Sequence, residues 1–237
     1  GDEVIMPAPY WVSYPEIIQA AGAKMVVVQT RAENNFEIDP VDLEAAVTPN
    51  TRLLILNSPS NPTGSVYSKE SLEAIAAVAV KHNFMVLSDE IYEKLVYDAD
   101  QPHVSIASLN PEIADLTITV NGLSKAYAMT GWRIGYAAGP APIIAAMKKI
   151  QSQSTSNPAS ISQHAAVAAL NGDQSCIDTM VSAFKERHDY LVSALNEIEG
   201  IECVKGDGTF YTFARIQNLI EKAGVANDVE LCEKLLT

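Results

Sequence analysis

The feature that most constrains the fold of this chain is the alternation of short apolar runs with longer stretches of helical periodicity. The apolar runs are rich in β-branched residues and lack polar alternation, as expected of strands that are buried on both faces. They cover residues 4–6, 25–29, 53–57, 84–88, 116–120 and 133–138. Helical patterns separate them, and Ser68 is a favourable N-cap for a helix that runs to about Lys81. Strands separated by helices predict a doubly wound, mainly parallel α/β sheet.

After Gly139 the pattern becomes mainly helical. Helices are predicted over residues 141–153, 159–170 and 174–199, followed by short strands at 202–204 and 209–215 with a turn at 206–208. We therefore expect a large domain over residues 1–172, a long connecting helix over 173–199 and the start of a smaller α+β domain over 200–237. The chain does not begin with Met, and it ends at Thr237 inside an apparent helix. We expect both ends to be cut from a longer protein.

Composition excludes several classes of function. The 237 residues are 48% hydrophobic and carry a formal net charge of −13, so nucleic acid is not an expected partner. The longest apolar run, residues 74–80, is far shorter than the ~20 residues that span a bilayer, so no membrane partner is expected. Three separated cysteines indicate a reducing compartment such as the cytoplasm, and we expect them to be buried apolar side chains. The four histidines lack metal-ligand spacing and are expected at the surface or at helix ends.

Chemically active side chains follow the predicted strands at the edge where an open α/β sheet binds ligands. An indole, an amide, a carboxylate with a phenol, and an amine follow successive strands: Trp11, Asn61, Asp89 with Tyr92, and Lys125. The lysine can attack a carbonyl, and the carboxylate can pair with a protonated ring nitrogen. Ser124 and Arg133 can bind a phosphate. These groups match the requirements of pyridoxal phosphate (PLP).

Residues 122–135, with the sequence GLSKAYAMTGWRIG, resemble the lysine signature of the fold-type I, class I and II aminotransferases. The similarity is greatest to the aspartate aminotransferase branch. Residues 9–14 (PYWVSY), 61–64 (NPTG) and 89–92 (DEIY) fit the same family in the same order, so the resemblance covers essentially the whole chain. It implies a homodimeric, PLP-dependent enzyme that moves an amino group between an amino acid, with aspartate as first choice, and a 2-oxo acid such as 2-oxoglutarate.

The resemblance implies roles for individual residues. Lys125 forms the Schiff base with the cofactor and, once freed, moves a proton between the substrate α-carbon and the cofactor. Asp89 keeps the pyridine nitrogen protonated. Tyr92 and Asn61 hydrogen-bond the ring hydroxyl oxygen.

Further roles concern the faces and the phosphate of the cofactor. Trp11 stacks on the ring and, with Asn61, borders the substrate, while Ser124 and Arg133 bind the phosphate. One residue departs from the family pattern, because Gly122 stands where many members have a serine three residues before the lysine. The family's glycine-rich phosphate loop, its partner-subunit aromatic residue and its carboxylate-binding arginine are not recognised. We therefore do not expect this chain alone to turn over substrate.

Several alternatives stay open at this point. Asp89 could cap a helix that begins at Glu90, Arg133 could be a structural ion-pair partner, and Trp11 and Tyr92 could be packing residues. A PLP-dependent lyase would use the same lysine and aspartate. A transcription regulator with an aminotransferase-like effector domain would carry a DNA-binding module ahead of this chain.

Overall fold

The structure is a computed structural model that describes residues 1–236, so Thr237 and its predicted helical state lie outside the described residues. Its main sheet has six strands in the order β2-β1-β3-β4-β5-β6. These are β1 (Glu3–Ala8), β2 (Lys24–Gln29), β3 (Thr51–Asn57), β4 (Met85–Asp89), β5 (Thr117–Gly122) and β6 (Gly135–Ala138). All neighbouring pairs are parallel except β5 and β6, which are antiparallel. The mainly parallel α/β fold predicted from the sequence is confirmed.

Helices lie on both faces of this sheet, and further helices follow it along the chain. They are α1 (Ser13–Ala20), α2 (Pro40–Ala46), α3 (Lys69–His82), α4 (Pro111–Ala114), α5 (Ala141–Ser154), α6 (Ser160–Asn171), α7 (Ser175–Asn196), α8 (Gln217–Ala223) and α9 (Asp228–Leu235). Alternate residues of β1 contribute to different cores: Ile5 packs in a cluster with residues of α2, α3 and α4, whereas Met6 packs with Tyr14 and Ile18 of α1. This division follows from the two-residue period of a strand and makes the sheet doubly wound.

The last strand of the sheet is shorter than predicted. Residues 133–138 were expected to be a strand, but β6 begins only at Gly135. Arg133 has a φ of 50°, in the left-handed region, and ends a short 3₁₀ turn over Thr130–Trp132. The chain reverses direction there, which explains why β6 runs antiparallel to β5.

A second sheet has two short antiparallel strands, β7 (Glu202–Cys203) and β8 (Ala214–Arg215). The prediction of a strand over 209–215 is wrong for its first five residues. Thr209 has a φ of 65°, and the backbone N–H groups of Asp207 and Gly208 both donate to the carbonyl oxygen of Gly64, at 2.9 Å each. Residues 206–211 therefore leave the small sheet and lie against the part of the chain that carries the large sheet.

The cysteines and histidines differ in part from expectation. Cys203 is buried, but Cys176 and Cys232 are exposed, so the expectation of burial is wrong for those two. The histidine prediction is also wrong at two positions, since His188 on α7 and the side chain of His103 are both buried. Within residues 1–236, no group of three potential metal-binding side chains occurs, and no helix is long and apolar enough to cross a membrane.

Candidate active site

A cavity of about 520 Å³ opens at the carboxyl end of the parallel strands. All seven residues proposed from the sequence line it: Trp11, Asn61, Asp89, Tyr92, Ser124, Lys125 and Arg133. The topology accounts for this convergence, because six of them lie in or just after the carboxyl ends of β1, β3, β4 and β5. Arg133 reaches the same edge by a different route, since it precedes β6, which runs in the opposite direction.

The carboxylate of Asp89, at the end of β4, is partly buried and accepts hydrogen bonds from two donors. The Tyr14 hydroxyl donates to Oδ2 at 2.7 Å, and the Ile91 backbone N–H donates to Oδ1 at 3.2 Å. Residues 91–94 form turns rather than a helix, so the alternative of a helix cap is not supported. Burial raises the pKa of Asp89 in spite of these hydrogen bonds.

No cationic side chain within residues 1–236 forms an ion pair with Asp89. A largely buried carboxylate is most stable beside a positive charge that also donates a hydrogen bond to it. A protonated ring nitrogen would supply that charge. The carboxylate therefore fits PLP, with the amine of Lys125 lining the same cavity.

A second buried acid, Glu90, lies directly after Asp89. It accepts hydrogen bonds from the hydroxyls of Ser88 and Ser105, at 2.8 and 2.7 Å, and His103 Nε2 lies 3.1 Å from its Oε2. Burial opposes ionisation of Glu90, but these contacts outweigh it and lower its pKa. Glu90 therefore remains anionic, and its charge contributes to the raised pKa of Asp89.

The amine of Lys125 lies beside two aromatic rings. Its Nζ lies 5.7 Å from the ring centroid of Tyr92 and 5.5 Å from that of Phe210. The hydroxyl of Tyr92 lies 2.8 Å from the hydroxyl of Tyr211, which also lines the cavity. Burial is the main cause that raises the pKa of Tyr92, so this phenol stays neutral and keeps its proton. Lys125 is thus a cavity residue and not a solvated surface lysine.

Asn57, at the last position of β3, connects Asp89 to Asn61. Its Nδ2 donates to the carbonyl oxygen of Asp89 at 3.0 Å, and its Oδ1 accepts from the backbone N–H of Asn61 at 2.8 Å. The loop that carries Asn61 is therefore held in register with the end of β4.

Trp11 and Arg133 lie at the open side of the cavity. Trp11 is 41% exposed and packs edge-on against Tyr14, with the ring centroids 5.3 Å apart, so it is not a core packing residue. Arg133 donates to the carbonyl oxygen of Thr130 at 2.7 Å and, within residues 1–236, has no carboxylate at ion-pair distance. Its other N–H groups suit an anion such as a phosphate, and Ser124 lines the same cavity.

The backbone geometry explains the glycine at position 122. A Cβ placed on Gly122 would lie 3.1 Å from the carbonyl oxygen of Ile134, from the Cα of Gly135 and from the Cδ1 of Ile91. A serine at this position would require β6 to move by a few tenths of an ångström. The close pairing of Gly122 with Gly135 thus leaves little room for a side chain at position 122.

Sequence reasoning missed three residues of this site: Tyr14, Asn57 and Tyr211. Tyr14 lies in a segment that carries the family resemblance, and Asn57 ends a predicted strand, so position along the chain could have identified both. Tyr211 has no such signal, because it lies 86 positions after Lys125 in a segment predicted to be a strand of the smaller domain.

Comparisons with known proteins agree with this geometry. The family model for aminotransferase class I and II matches residues 1–237. The aspartate/prephenate aminotransferase of Nitrosomonas europaea is 50% identical, and the match covers 100% of this chain and 61% of that protein. The aspartate aminotransferase of Geobacillus stearothermophilus is 48% identical, and the match covers 100% of this chain and 60% of that protein. Among solved structures, aspartate aminotransferase from Rhizobium meliloti has a TM-score of 0.89 at 46% identity, covering 92% of this chain and 55% of that one. The chain thus spans about 60% of the length of the curated relatives.

Proposed function

Because this chain belongs to the class I and II aminotransferase family, whose members use pyridoxal phosphate, we propose that the whole protein transfers an amino group between an amino acid and a 2-oxo acid. The observation that carries the proposal is the presence of Lys125 and Asp89 in one cavity. Both relatives named above have aspartate in their names, which supports aspartate as the amino donor. We propose 2-oxoglutarate as the acceptor.

The cavity offers a group for each part of the cofactor. We propose that Lys125 holds PLP covalently through its amine and that Asp89 holds a positive charge on the ring nitrogen. Trp11 would cover the ring, Asn61 and Tyr92 would donate to the ring hydroxyl oxygen, and Ser124 and Arg133 would bind the phosphate. When bound, PLP supplies an electron sink that stabilises negative charge at the substrate α-carbon.

The proton transfer would fall to Lys125. Its amine lies beside two aromatic rings and forms no ion pair within residues 1–236. No carboxylate of these residues therefore holds the amine when it is not bonded to the cofactor. We propose that it would accept the proton of the substrate α-carbon and donate that proton to the cofactor, on the same side of the cavity. Trp11 and Asn61, at the opening, would border the substrate.

We also propose that the whole protein is a homodimer in a reducing compartment, such as the cytoplasm. Support for dimerisation comes from exposed apolar side chains on α5 and α6: Met147, Ile150, Ile161, Val167 and Leu170. All three cysteines are free, which suits a reducing compartment. Sedimentation of the whole protein, with and without PLP, tests the dimer.

The experiment that tests the function is reconstitution of the whole protein with PLP. We expect a visible absorbance band, and reduction with borohydride should attach the cofactor to the peptide that contains Lys125. Lys125→Ala should abolish both, whereas Lys69→Ala, at an exposed position on α3, should change neither. If wild type and Lys125→Ala give the same spectrum, the proposal is wrong.

Product analysis separates this activity from the alternatives. Aspartate and 2-oxoglutarate should yield glutamate and the 2-oxo acid of aspartate. Release of ammonia and pyruvate from a suitable amino acid, without transfer, would indicate a lyase instead. PLP binding without any turnover would favour the alternative of an aminotransferase-like effector domain in a transcription regulator.

A further inference from the structure

Residues 206–211 are anchored to the large-sheet part of the chain by their backbone. The N–H groups of Asp207 and Gly208 share the carbonyl oxygen of Gly64, at 2.9 Å each, and the Thr209 N–H donates to the carbonyl oxygen of Leu95 at 2.7 Å. The Tyr97 N–H donates in return to the carbonyl oxygen of Asp207 at 2.8 Å. The segment is thus paired with two loops that follow β3 and β4.

Side chains from separate elements add to this attachment. Asn35 donates to Asp207 Oδ2 at 2.7 Å, and the Tyr97 hydroxyl donates to the carbonyl oxygen of Thr209 at 2.8 Å. On the opposite side, His188 Nε2 accepts the backbone N–H of Gly206 at 3.0 Å. The segment is held from both sides, so the side chains that it carries have a defined position.

This anchoring places two aromatic residues at Lys125. Phe210 and Tyr211 pack edge-on against the ring of Tyr92, with centroid distances of 5.7 and 5.8 Å. The Tyr211 hydroxyl lies 2.8 Å from the Tyr92 hydroxyl, and either oxygen can be the donor. Tyr211 is the one cavity-lining residue that follows α7 among those described.

The direction of this hydrogen bond decides what Tyr92 can do. A phenol has a single proton, so a Tyr92 that donates to Tyr211 has none left for a ligand. If Tyr211 donates instead, Tyr92 keeps its proton for the cavity and becomes a stronger donor, because hydrogen bonds in a chain polarise one another. A negatively charged oxygen on a ligand favours this second arrangement.

We propose that Tyr211 is a positioning residue that acts through Tyr92, by donating to its hydroxyl and directing the Tyr92 proton toward the ring oxygen of the cofactor. The inference rests on the proposed function, since it requires PLP on Lys125. Tyr211 belongs to the part of the chain predicted to begin a second domain. The C-terminal region would thus complete the cofactor site of the large sheet.

The test is a pH titration of the visible spectrum of the whole, PLP-loaded protein without substrate. Loss of a proton from the lysine-bound nitrogen concentrates negative charge on the ring oxygen, so a weaker Tyr92 donor should make that loss harder. We expect Tyr211→Phe to retain the borohydride-reducible cofactor and to raise the midpoint of the titration by roughly half a unit to one unit. Tyr190→Phe, at an exposed position on α7, is the matched control and should leave the midpoint unchanged.

A double-mutant cycle separates an action through Tyr92 from a general structural effect. Tyr92→Phe should raise the midpoint by more than Tyr211→Phe does, and adding Tyr211→Phe to Tyr92→Phe should cause no further shift. An unchanged midpoint in Tyr211→Phe, or shifts that simply add in the double variant, would overturn the inference while leaving the proposed function intact. A wild type without a PLP band would overturn the proposed function and this inference together.

Discussion

The hydroxyl of Tyr14 donates a hydrogen bond of 2.7 Å to Asp89 Oδ2, across 75 positions of the chain. Both groups are largely buried, and burial is the main cause that raises the pKa of each. The tyrosine therefore stays protonated and can only donate, which favours the charged form of the carboxylate. Helix α1, which carries Tyr14, thus contributes directly to the electrostatics at the end of β4.

Tyr14→Phe should weaken PLP binding by roughly tenfold, because the carboxylate loses a hydrogen bond of the charge-assisted kind. Without this donor the pKa of Asp89 rises further, so Asp89 becomes neutral at a higher pH and pairs less well with a ring nitrogen. As the pH is lowered, the affinity of the variant for PLP should consequently begin to fall at a higher pH than the affinity of the wild type does. Equilibrium titration with PLP at several pH values measures both effects. Equal affinities across the series would show that Tyr14 does not support the carboxylate.

Asn57→Ala should destabilise the whole protein by about 1–3 kcal/mol, since it leaves the N–H of Asn61 without its partner and removes one of the two donors to the carbonyl oxygen of Asp89. The Asn61 loop should also lose its register with β4, so PLP affinity should fall. Denaturant unfolding and PLP titration measure the two losses. Asn171→Ala, at the exposed end of α6, is the control and should have little effect on either.

Gly208→Ala should destabilise the protein by about 1–3 kcal/mol, the usual cost of overpacking. A Cβ at this position would collide with the carbonyl oxygen of Leu95, and this backbone atom cannot move away as the end of a flexible side chain could. Thermal unfolding measures the loss. Gly131→Ala is the matched control, because a Cβ there meets no atom within 4 Å. Equal melting temperatures for the two variants would show that residues 206–211 do not pack as described.

The stability of the protein should decrease in mildly acidic solution through His188. Burial lowers the pKa of this histidine from its usual 6.5, and its Nε2 must be unprotonated to accept the N–H of Gly206. Asp189 opposes this shift, while Lys205 and Lys185 assist it. The unfolded chain binds the proton more readily, so the contribution of His188 is complete above pH 6.5 and is lost as the pH falls through the lowered value.

His188→Gln provides the test, since glutamine keeps an acceptor and does not titrate. Between about pH 7.5 and about pH 5, the wild type should lose more unfolding free energy than the variant. His164→Gln, at an exposed position on α6, should follow the wild type. If wild type and His188→Gln lose stability in parallel, the buried histidine does not couple pH to stability.

Much of the large sheet could be predicted from local sequence. The ends of all six strands lie within two residues of the apolar runs that predict them, because a strand buried on both faces requires continuous apolar, β-branched sequence. The convergence of Trp11, Asn61, Asp89 and Lys125 followed from this, since parallel strands with helical connections place all their carboxyl ends at one edge. The part of the candidate site built on β1, β3, β4 and β5 is therefore predictable from the sequence alone.

The remaining features depend on contacts between distant parts of the chain. The turn at Arg133 and the antiparallel direction of β6 depend on the close approach of Gly135 to Gly122, and the path of residues 206–211 depends on backbone hydrogen bonds to Gly64 and Leu95. Local propensity favoured a strand in both places, but satisfying buried N–H and C=O groups is worth more than a strand preference of about 1 kcal/mol. For that reason a pattern of residue types could specify the sheet and its reactive edge, whereas only the folded chain could show that Tyr211 lines the same cavity as Lys125 and contacts Tyr92.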